Sequence, residues 1–329
     1  MENWDLIGHE WAVQLLQNHI RNQEARHAYL ITGPSGVGRR TLGLRFIQAL
    51  NCMNPPAPGA FCGECRVCKL VARMQHPDLL VGQADSLGGI LKIDTVREIQ
   101  HGLSFQPYEA RWRIALLLRF EEANQNAENA LLKTLEEPPE KAKIILTASD
   151  ENSLLPTVLS RCECIRLRPQ SAADLKKVLA EQRQVPDAEA ERIAHLSCGS
   201  VGYAFSLLES PEKTEKILSV AREGIEIFSQ NTRLRFRFAE GYRDVKKRGE
   251  VRSILQIWQS LFRDLLLLSV DERALSRTFT DYSLELNAIV RKGSPDVFRK
   301  MATRINRAMD YVDANVNLQL LLETLFLDW

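Results

Sequence analysis

The sequence predicts an α/β fold in which helices cover both faces of a parallel sheet. Short runs that are apolar throughout alternate with segments whose apolar residues recur at helical spacing. A glycine-rich turn follows the first of these runs, and only helical patterns follow Pro169. Strands buried on both faces are apolar throughout, which is typical of parallel sheets between helices. The runs with strand character cover residues 28–32, 114–118, 144–147 and 164–167.

The helical segments divide the chain into three predicted domains. Apolar residues at helical spacing predict helices over residues 10–23, 41–50 and 124–137, and a further helix with Asp94 as its N-cap. Beyond Pro169 come short helical segments and then a leucine-rich helical region. The predicted domains are a sheet domain over residues 1–169, a small helical domain over 170–239 and an all-α domain over 240–329.

Composition and charge limit the class of protein. The 329 residues are enough for two or three domains, and 45% apolar with 26% charged residues is the balance of a globular chain. This excludes a disordered, collagen-like or coiled-coil protein. The 43 Lys and Arg residues against 42 Asp and Glu leave a formal net charge of +1. A protein that binds DNA through its own charge is usually more basic, so we expect any nucleic-acid contact to be local or shared with partners.

The sequence favours a cytoplasmic protein with no membrane segment. Residues 1–5 carry neither the basic start nor the apolar stretch of a secretory signal. The most apolar windows, such as residues 265–270, are much shorter than a bilayer span and adjoin charged residues. Thiols stay reduced in the cytoplasm, so we expect cysteines that lie close together to bind metal and not to form disulfides.

Four cysteines fall within the short segment 52–68. Cys52 is followed after nine residues by Cys62, and two Cys-x-x-Cys steps then lead to Cys65 and Cys68. Four thiolates give zinc a closed tetrahedral site without an open position for catalysis, so we predict structural zinc. Free buried cysteines and an iron–sulfur cluster are the alternatives. We expect the segment to be an insertion beside the main core. The remaining cysteines lie in apolar contexts and are predicted to be packing residues: Cys162, Cys164 and Cys198.

The glycine-rich turn resembles a phosphate-binding loop that lacks its reactive side chains. Gly33, Gly36 and Gly38 follow a predicted strand and precede a helix, as in the pattern Gly-x4-Gly-Lys-Ser/Thr. Arg39 stands at the lysine position, and Arg40 replaces the hydroxyl residue that would hold magnesium. Backbone amides could still bind an anion, and a simple glycine turn is the alternative.

The strand that should carry the acidic residues of an ATPase lacks them as well. Such enzymes place an Asp, usually followed by a Glu, at the end of a core strand to hold magnesium and orient water. Here Leu118 and Arg119 occupy those positions, and Glu121 and Glu122 come slightly later, on the following turn. We therefore expect neither ATP hydrolysis nor ATP in this site.

Several stretches together resemble the AAA+ clamp-loader family over the whole chain. They are the segment 27–33 (His-Ala-Tyr-Leu-Ile-Thr-Gly), the four-cysteine insert, the segment 129–139 (Asn-Ala-Leu-Leu-Lys-Thr-Leu-Glu-Glu-Pro-Pro) and Ser160-Arg161-Cys162. The resemblance implies an AAA+ P-loop type parallel sheet with a zinc-binding insert. It also implies that residues 170–239 form a helical lid domain and 240–329 an oligomerisation (collar) domain.

The resemblance also implies functional roles. An arginine after a loop is usually a solvated surface charge, but in this family the position of Arg161 supplies an arginine finger to ATP held by a neighbouring subunit. Gly202 and Tyr203 replace the Arg-Asp pair of the motor subunits, and Ser149 aligns with the residue that senses the γ-phosphate. The implied partners are the motor (gamma/tau) and delta subunits and, through the complex, the sliding clamp and primed DNA.

Two other functions remain open at this point. An active motor ATPase of the same family is disfavoured by the substitutions at Arg39, Arg40, Leu118 and Arg119. A zinc-bearing nucleic-acid-binding or regulatory protein unrelated to clamp loading is compatible with the four cysteines. The near-neutral charge and the leucine-rich C-terminal helices fit an oligomeric assembly better.

Overall fold

The chain divides into two compact units. The computed structural model describes residues 3–86, 88–271, 277–314 and 316–327. The first unit comprises Met1–Gln170 with Ser200–Tyr203, and the second comprises Ser171–Gly199 with Ala204–Trp329. None of the helices in the described ranges combines the length and apolarity needed to cross a membrane.

The first unit contains a five-stranded parallel sheet. The strands are β1 (Ala28–Thr32), β2 (Leu79–Gly82), β3 (Arg113–Leu117), β4 (Ala142–Ala148) and β5 (Glu163–Arg166). Their order across the sheet is β2-β3-β4-β1-β5, and every pair is parallel. The predicted parallel sheet is therefore confirmed. Strand β2 was not predicted from the sequence; it contains three apolar residues followed by Gly82.

Helices cover both faces of this sheet. They are α1 (Glu10–Arg21), α2 (Arg39–Asn51), α3 (Arg66–Ala72), α4 (Ile93–Leu103), α5 (Gln125–Glu136) and the short α6 (Pro156–Leu159). Asn124 caps α5 by accepting a hydrogen bond from the backbone N–H of Ala127 at 2.9 Å. The predicted cap of α4 is wrong: Lys92 is the N-cap, and Asp94 lies in the first turn.

Alternation along the strands separates two apolar cores. Tyr29 and Ile31 of β1 belong to one core, which packs against α1, α2 and α3. Ala28 and Leu30 of the same strand belong to the other core, which packs against α4, α5 and α6. Because successive side chains of a strand point to opposite faces, a strand apolar at every position is buried on both sides. This is why β1 and β4 contain no exposed residue.

A buried carboxylate fixes the loop that leads into β3. Asp78 is fully buried and accepts hydrogen bonds from the backbone N–H groups of Tyr108, Glu109 and Ala110 at 2.7, 2.9 and 3.0 Å. The guanidinium of Arg113 donates a fourth bond at 3.1 Å. Burial by itself would raise the pKa of Asp78, but these N–H donors outweigh it and lower the pKa below its ordinary value.

We expect Asp78→Asn to destabilise the chain by about 2–4 kcal/mol at neutral pH, because an amide cannot accept all four bonds and leaves Arg113 without its counter-charge. Since the folded-state pKa is lowered, this stability is present above the unfolded pKa and is lost as the pH falls through the folded pKa. Denaturant unfolding at several pH values measures it. Asp94→Asn, an exposed carboxylate, is the control. An equal loss in both variants would contradict the prediction.

The second unit is helical throughout its described residues. Its helices are α7 (Ala172–Arg183), α8 (Asp187–Leu196), α9 (Val201–Glu209, which begins within the first unit), α10 (Pro211–Ser229), α11 (Thr232–Glu240), α12 (Arg248–Val270), α13 (Ser283–Val290), α14 (Pro295–Asp313) and α15 (Leu318–Leu327). An aromatic cluster joins α10, α11, α12 and α15 and includes Phe228, Phe238, Trp258, Phe262 and Phe326. Residues on both sides of position 240 therefore share one core, and the predicted boundary there stays a prediction.

Candidate functional sites

The glycine-rich turn has the backbone of a phosphate-binding loop. Gly33, Gly36 and Gly38 have φ angles of 143°, 76° and 112°, which favour glycine. A Cβ at Gly33 would lie 2.5 Å from the carbonyl oxygen of Leu167, so no larger residue fits there. The turn joins the end of β1 to the N-terminus of α2, which begins at Arg39. The backbone scaffold of the predicted loop is therefore present.

The segment Ser200–Tyr203, which belongs to the same unit, forms hydrogen bonds with this loop. The N–H of Gly202 donates to the carbonyl oxygen of Gly36 at 2.8 Å, and the hydroxyl of Ser200 donates to the carbonyl oxygen of Ser35 at 3.0 Å. A Cβ at Gly202 would lie 2.9 Å from the oxygen of Gly36. Position 202, where the motor subunits of the resembled family carry arginine, therefore has no room for a side chain in this arrangement.

An ion pair holds the arginine at the lysine position of the loop. The guanidinium of Arg39 lies 3.8 Å from the carboxylate of Glu121, and both side chains are largely buried, with 11% and 19% exposed. Burial lowers the pKa of Arg39, and the Glu121 carboxylate opposes this effect. Arg40 is exposed. The pairing of Arg39 with Glu121 joins residues that are distant in sequence, and the sequence analysis did not predict it.

A second ion pair occupies the turn after β3. Arg119 donates from Nε to the carboxylate of Glu122 at 2.9 Å. The same carboxylate oxygen of Glu122 accepts from the N–H of Gly88 at 2.9 Å, and Glu121 accepts from the N–H of Ser149 at 3.1 Å. Two arginines and two glutamates thus balance one another at the end of the sheet where a P-loop ATPase holds magnesium and phosphate. This arrangement offers a phosphate little uncompensated positive charge.

Ser149 lies at the end of β4, on the wall of a cavity of about 440 Å³ beside the loop. The cavity is also lined by Asp150, Glu151 and Arg166. The guanidinium of Arg166 binds both carboxylate oxygens of Glu151 at 2.5 Å, so its charge is already paired. Hydrogen bonds from Asn152 lower the pKa of Asp150. The structure therefore places Ser149 beside the loop.

The four clustered cysteines meet in a geometry that suits a metal ion. All four Sγ atoms of Cys52, Cys62, Cys65 and Cys68 lie within 4.8 Å of one another. The Cys52–Cys62 and Cys62–Cys68 sulfur separations are 3.6 and 4.0 Å. Zinc–sulfur bonds of about 2.3 Å in a tetrahedron place sulfurs about 3.8 Å apart. These residues can therefore hold a metal ion, and a set of four thiolates suits zinc.

Backbone N–H groups support the thiolate form of these cysteines. The N–H groups of Cys62, Cys65 and Cys68 donate to the sulfurs of Cys52, Cys62 and Cys65 at 3.3, 3.3 and 3.4 Å. The bond from the N–H of Cys65 is the main reason that the pKa of Cys62 falls to about 6. Burial raises the pKa of Cys52 and Cys68. A bound cation would stabilise the thiolates that burial disfavours.

The expectation that this segment lies beside the main core is wrong. Cys52 and Cys68 are buried, and with Phe61 they belong to the core that packs α1, α2 and α3 against the sheet. Gln48 of α2 donates to the carbonyl oxygen of Cys68 at 2.8 Å. The indole of the buried Trp4 donates to the carbonyl oxygen of Gly59 at 3.0 Å. The cysteine segment is therefore part of the first unit's core.

The remaining cysteines differ in exposure. Cys162 packs against the core formed with α4, α5 and α6, as expected. Cys164 and Cys198 are exposed, so the expectation that they are packing residues is wrong. Cys164 is on the edge strand β5 and Cys198 follows the end of α8, and in both places an apolar sequence context does not bring burial.

Arg161 follows α6, and its guanidinium donates three hydrogen bonds to groups of its own chain. One terminal nitrogen donates to the carbonyl oxygen of Thr157 at 2.9 Å and to the hydroxyl of Ser160 at 3.1 Å. The other lies 2.6 Å from the carboxylate of Glu136. A third of the Arg161 side chain is exposed. The sequence analysis did not single out Glu136.

Arg161 lies near the N-terminal ends of the strands, whereas the phosphate loop lies at their C-terminal ends. It precedes β5, whose Glu163 pairs with Tyr29 near the start of β1. The loop instead begins at Gly33, level with Leu167. Because the strands are parallel, the four residue steps from Glu163 to Leu167 separate the two places by about 13 Å. Arg161 is therefore badly placed to act on a phosphate in its own chain's loop.

Comparison with known proteins agrees with this architecture. Residues 8–171 match the family model described as DNA polymerase III, delta subunit. The chain belongs to the clamp-loader family of DNA polymerase III subunits. The parallel sheet predicted for this chain is confirmed, and the same unit contains a four-cysteine cluster that can hold a metal ion.

The curated relatives include both subunit types of interest. The chain is 39% identical to the delta' subunit of Pseudomonas aeruginosa over an alignment of 179 residues. This alignment covers 54% of this chain and 53% of the relative. It is 31% identical to the tau/gamma subunit of Haemophilus influenzae over an alignment of 210 residues. That alignment covers 62% of this chain and 30% of the relative. A gamma subunit-related protein of Thermotoga maritima superposes with a TM-score of 0.45 at 20% identity, over 96% of this chain and 97% of that one. The matched regions span about a third to a half of the first curated relatives' lengths.

Proposed function

We propose that this chain is a non-hydrolysing clamp-loader subunit of the delta-prime type. It assembles with motor (gamma/tau) and delta subunits and helps to place the sliding clamp on primed DNA. The observation that supports this most directly is the ion pair between Arg39 and Glu121 in the phosphate loop.

The ion pair opposes ATP binding for a physical reason. In a working P-loop the lysine reaches the β- and γ-phosphates, and a Ser or Thr with an Asp holds magnesium. Here Arg39 would have to leave Glu121, and Arg119 would have to leave Glu122, before either could face a phosphate. Leaving a buried charge without its partner costs about 3–5 kcal/mol, and the two glutamates would lose their partners in this way. ATP would have to supply this free energy with no magnesium ligand from Arg40 or Leu118.

Arg161 acts on a neighbouring subunit in this proposal. Its surface position near the N-terminal ends of the strands, away from its own chain's loop, favours a role in trans, as an arginine finger for ATP held by a motor subunit. A finger stabilises the charge on the transferred phosphoryl group and is worth about 10³–10⁵ in rate in GTPases. A subunit without its own ATPase can therefore complete a neighbour's active site.

The cysteine cluster and the second unit have structural roles. We propose that Cys52, Cys62, Cys65 and Cys68 hold zinc that stabilises the first unit, and that no ATP occupies its loop. In this proposal the lid begins at residue 170 and ends before α10. The collar comprises the later helices and mediates assembly. Because α10 and α11 share the aromatic cluster with α12 and α15, we place them with the collar and not with the lid.

The test compares the isolated chain with the assembled complex. We expect the isolated chain neither to hydrolyse ATP nor to gain thermal stability from magnesium ATP. Added to gamma/tau and delta subunits, it should co-purify with them and restore ATP-driven clamp loading on primed DNA. The measurements are phosphate release, a melting curve with and without ATP, and clamp loading.

The same assays test the alternative function, an active motor ATPase of the gamma/tau type. The similarity of the chain to tau and gamma subunits favours this alternative. ATP turnover by the isolated chain that persists through purification and responds to Arg39→Ala would favour the motor. A chain that neither co-purifies with clamp-loader subunits nor affects loading would overturn both functions.

A further inference from the structure

We propose that Glu136 is a positioning residue that orients Arg161 toward a neighbouring subunit's phosphate. This inference rests on the proposed role of Arg161 as an arginine finger. The carboxylate of Glu136 lies 2.6 Å from the guanidinium of Arg161. This contact joins the last residue of α5 to Arg161, two residues after the end of α6.

The hydrogen bonds of Arg161 leave part of its guanidinium available. A guanidinium carries five N–H donors. One terminal nitrogen of Arg161 serves Thr157 and Ser160, and the other serves Glu136. Among the described residues, Nε of Arg161 has no hydrogen-bond partner. Nε and the remaining terminal N–H can bind two oxygens of one phosphate, which is the geometry in which arginine recognises phosphate best.

Glu136 can fix this orientation because its own helix is anchored. Leu131 and Leu135 of α5 are buried in the core. Glu128 of the same helix accepts a hydrogen bond at 2.8 Å from the N–H of Leu155, the N-cap of α6. One helix therefore holds both the start of α6 and the guanidinium that follows it. A side chain held in its working orientation loses less conformational freedom when it engages a ligand.

The chain offers a matched control beside Glu136. Glu137 is also an exposed glutamate, and its side chain makes no hydrogen bond or ion pair with the residues described. Glu136→Ala removes the acceptor for Arg161. Glu136→Gln keeps an acceptor oxygen and removes the negative charge near the incoming phosphate. The two substitutions separate orientation of Arg161 from charge.

The experiment measures ATP turnover by the reconstituted complex containing each full-length variant, at equal assembly. We expect Glu136→Ala to lower the Arg161-dependent part of the turnover, which is the rate lost in Arg161→Ala, by about 3- to 10-fold, because a displaced catalytic group loses rate steeply with distance. Glu136→Gln should stay within about 2-fold of the unchanged protein, since an acceptor remains for Arg161. Glu137→Ala should have no effect. Glu136→Ala should cause no further loss when Arg161 is already alanine, because the two residues act as one unit.

The outcomes separate this inference from the proposed function. If Arg161→Ala lowers turnover and Glu136→Ala does not, only the inference is overturned. It is also overturned if Glu136→Gln fails as badly as Glu136→Ala, or if the loss persists in the Arg161→Ala background. If Arg161→Ala has no effect, the finger role and this inference both fall.

Discussion

Replacing Arg161 with alanine should lower the ATPase and the clamp loading of the assembled complex while leaving the chain folded. The guanidinium stabilises charge on the phosphoryl group at one neighbouring site, where its loss costs about 10³-fold or more in rate. If several motor sites turn over, total ATPase falls only in part. Clamp loading should fall at least as much, because the finger also couples the subunit to its neighbour's ATP state.

Arg161→Lys should recover little of this loss, since an ammonium group keeps the charge but cannot bind two phosphate oxygens through a planar fork. Arg111→Ala is the control, because Arg111 is exposed and, like Arg161, comes two residues before the start of a strand of the sheet. Turnover and clamp loading are measured at equal assembly. Unchanged rates in Arg161→Ala would show that the residue is an ordinary surface charge.

Removing the metal from the cysteine cluster should destabilise the whole first unit. The purified chain should contain one zinc per molecule, since the described residues form one four-cysteine cluster. Cys68 is fully buried in the core, so loss of the ion leaves buried thiols without their partner. Structural zinc contributes about 10–16 kcal/mol to the folding of zinc-finger peptides. Even a loss of about 5 kcal/mol would approach the total stability of an ordinary domain.

Elemental analysis, followed by thermal unfolding of chelated protein and of Cys68→Ser, measures this effect. Cys198→Ser, at an exposed cysteine outside the cluster, is the control and should leave metal content and melting temperature unchanged. Acid should release the ion as the thiolates protonate. A metal-free chain that melts at the same temperature as the purified one would contradict the prediction.

Much of the first unit's fold could be predicted because its signals are local. A run such as Ala28–Thr32 shows its burial on both faces within five residues. The Cys-x-x-Cys steps bend the chain tightly enough to bring their sulfurs together. Strand β2, with three apolar residues before Gly82, was not predicted. The α4 cap was wrong because Lys92, two residues before Asp94, already has the extended conformation of a cap.

The candidate sites divide along the same line. The sequence by itself determined that Arg39, Arg40, Leu118 and Arg119 replace the groups an ATPase needs, because identity at a position requires no structure. The partner of the arginine at the lysine position of the loop depends on tertiary structure. Arg39 meets Glu121 through the packing of α2 beside the turn after β3.

The contacts of Arg161 and the cysteines show the physical reason. Glu136 and Arg161 are 25 residues apart, and they meet because α5 and α6 pack on one face of the sheet. The cysteine segment reads as an insertion in the sequence, but Trp4 and Gln48 bind its backbone and bury it. Spacing along the chain determines local backbone geometry, which the sequence therefore predicts. Pairing between distant side chains depends on how helices pack and how strands align, and only the folded chain decides that.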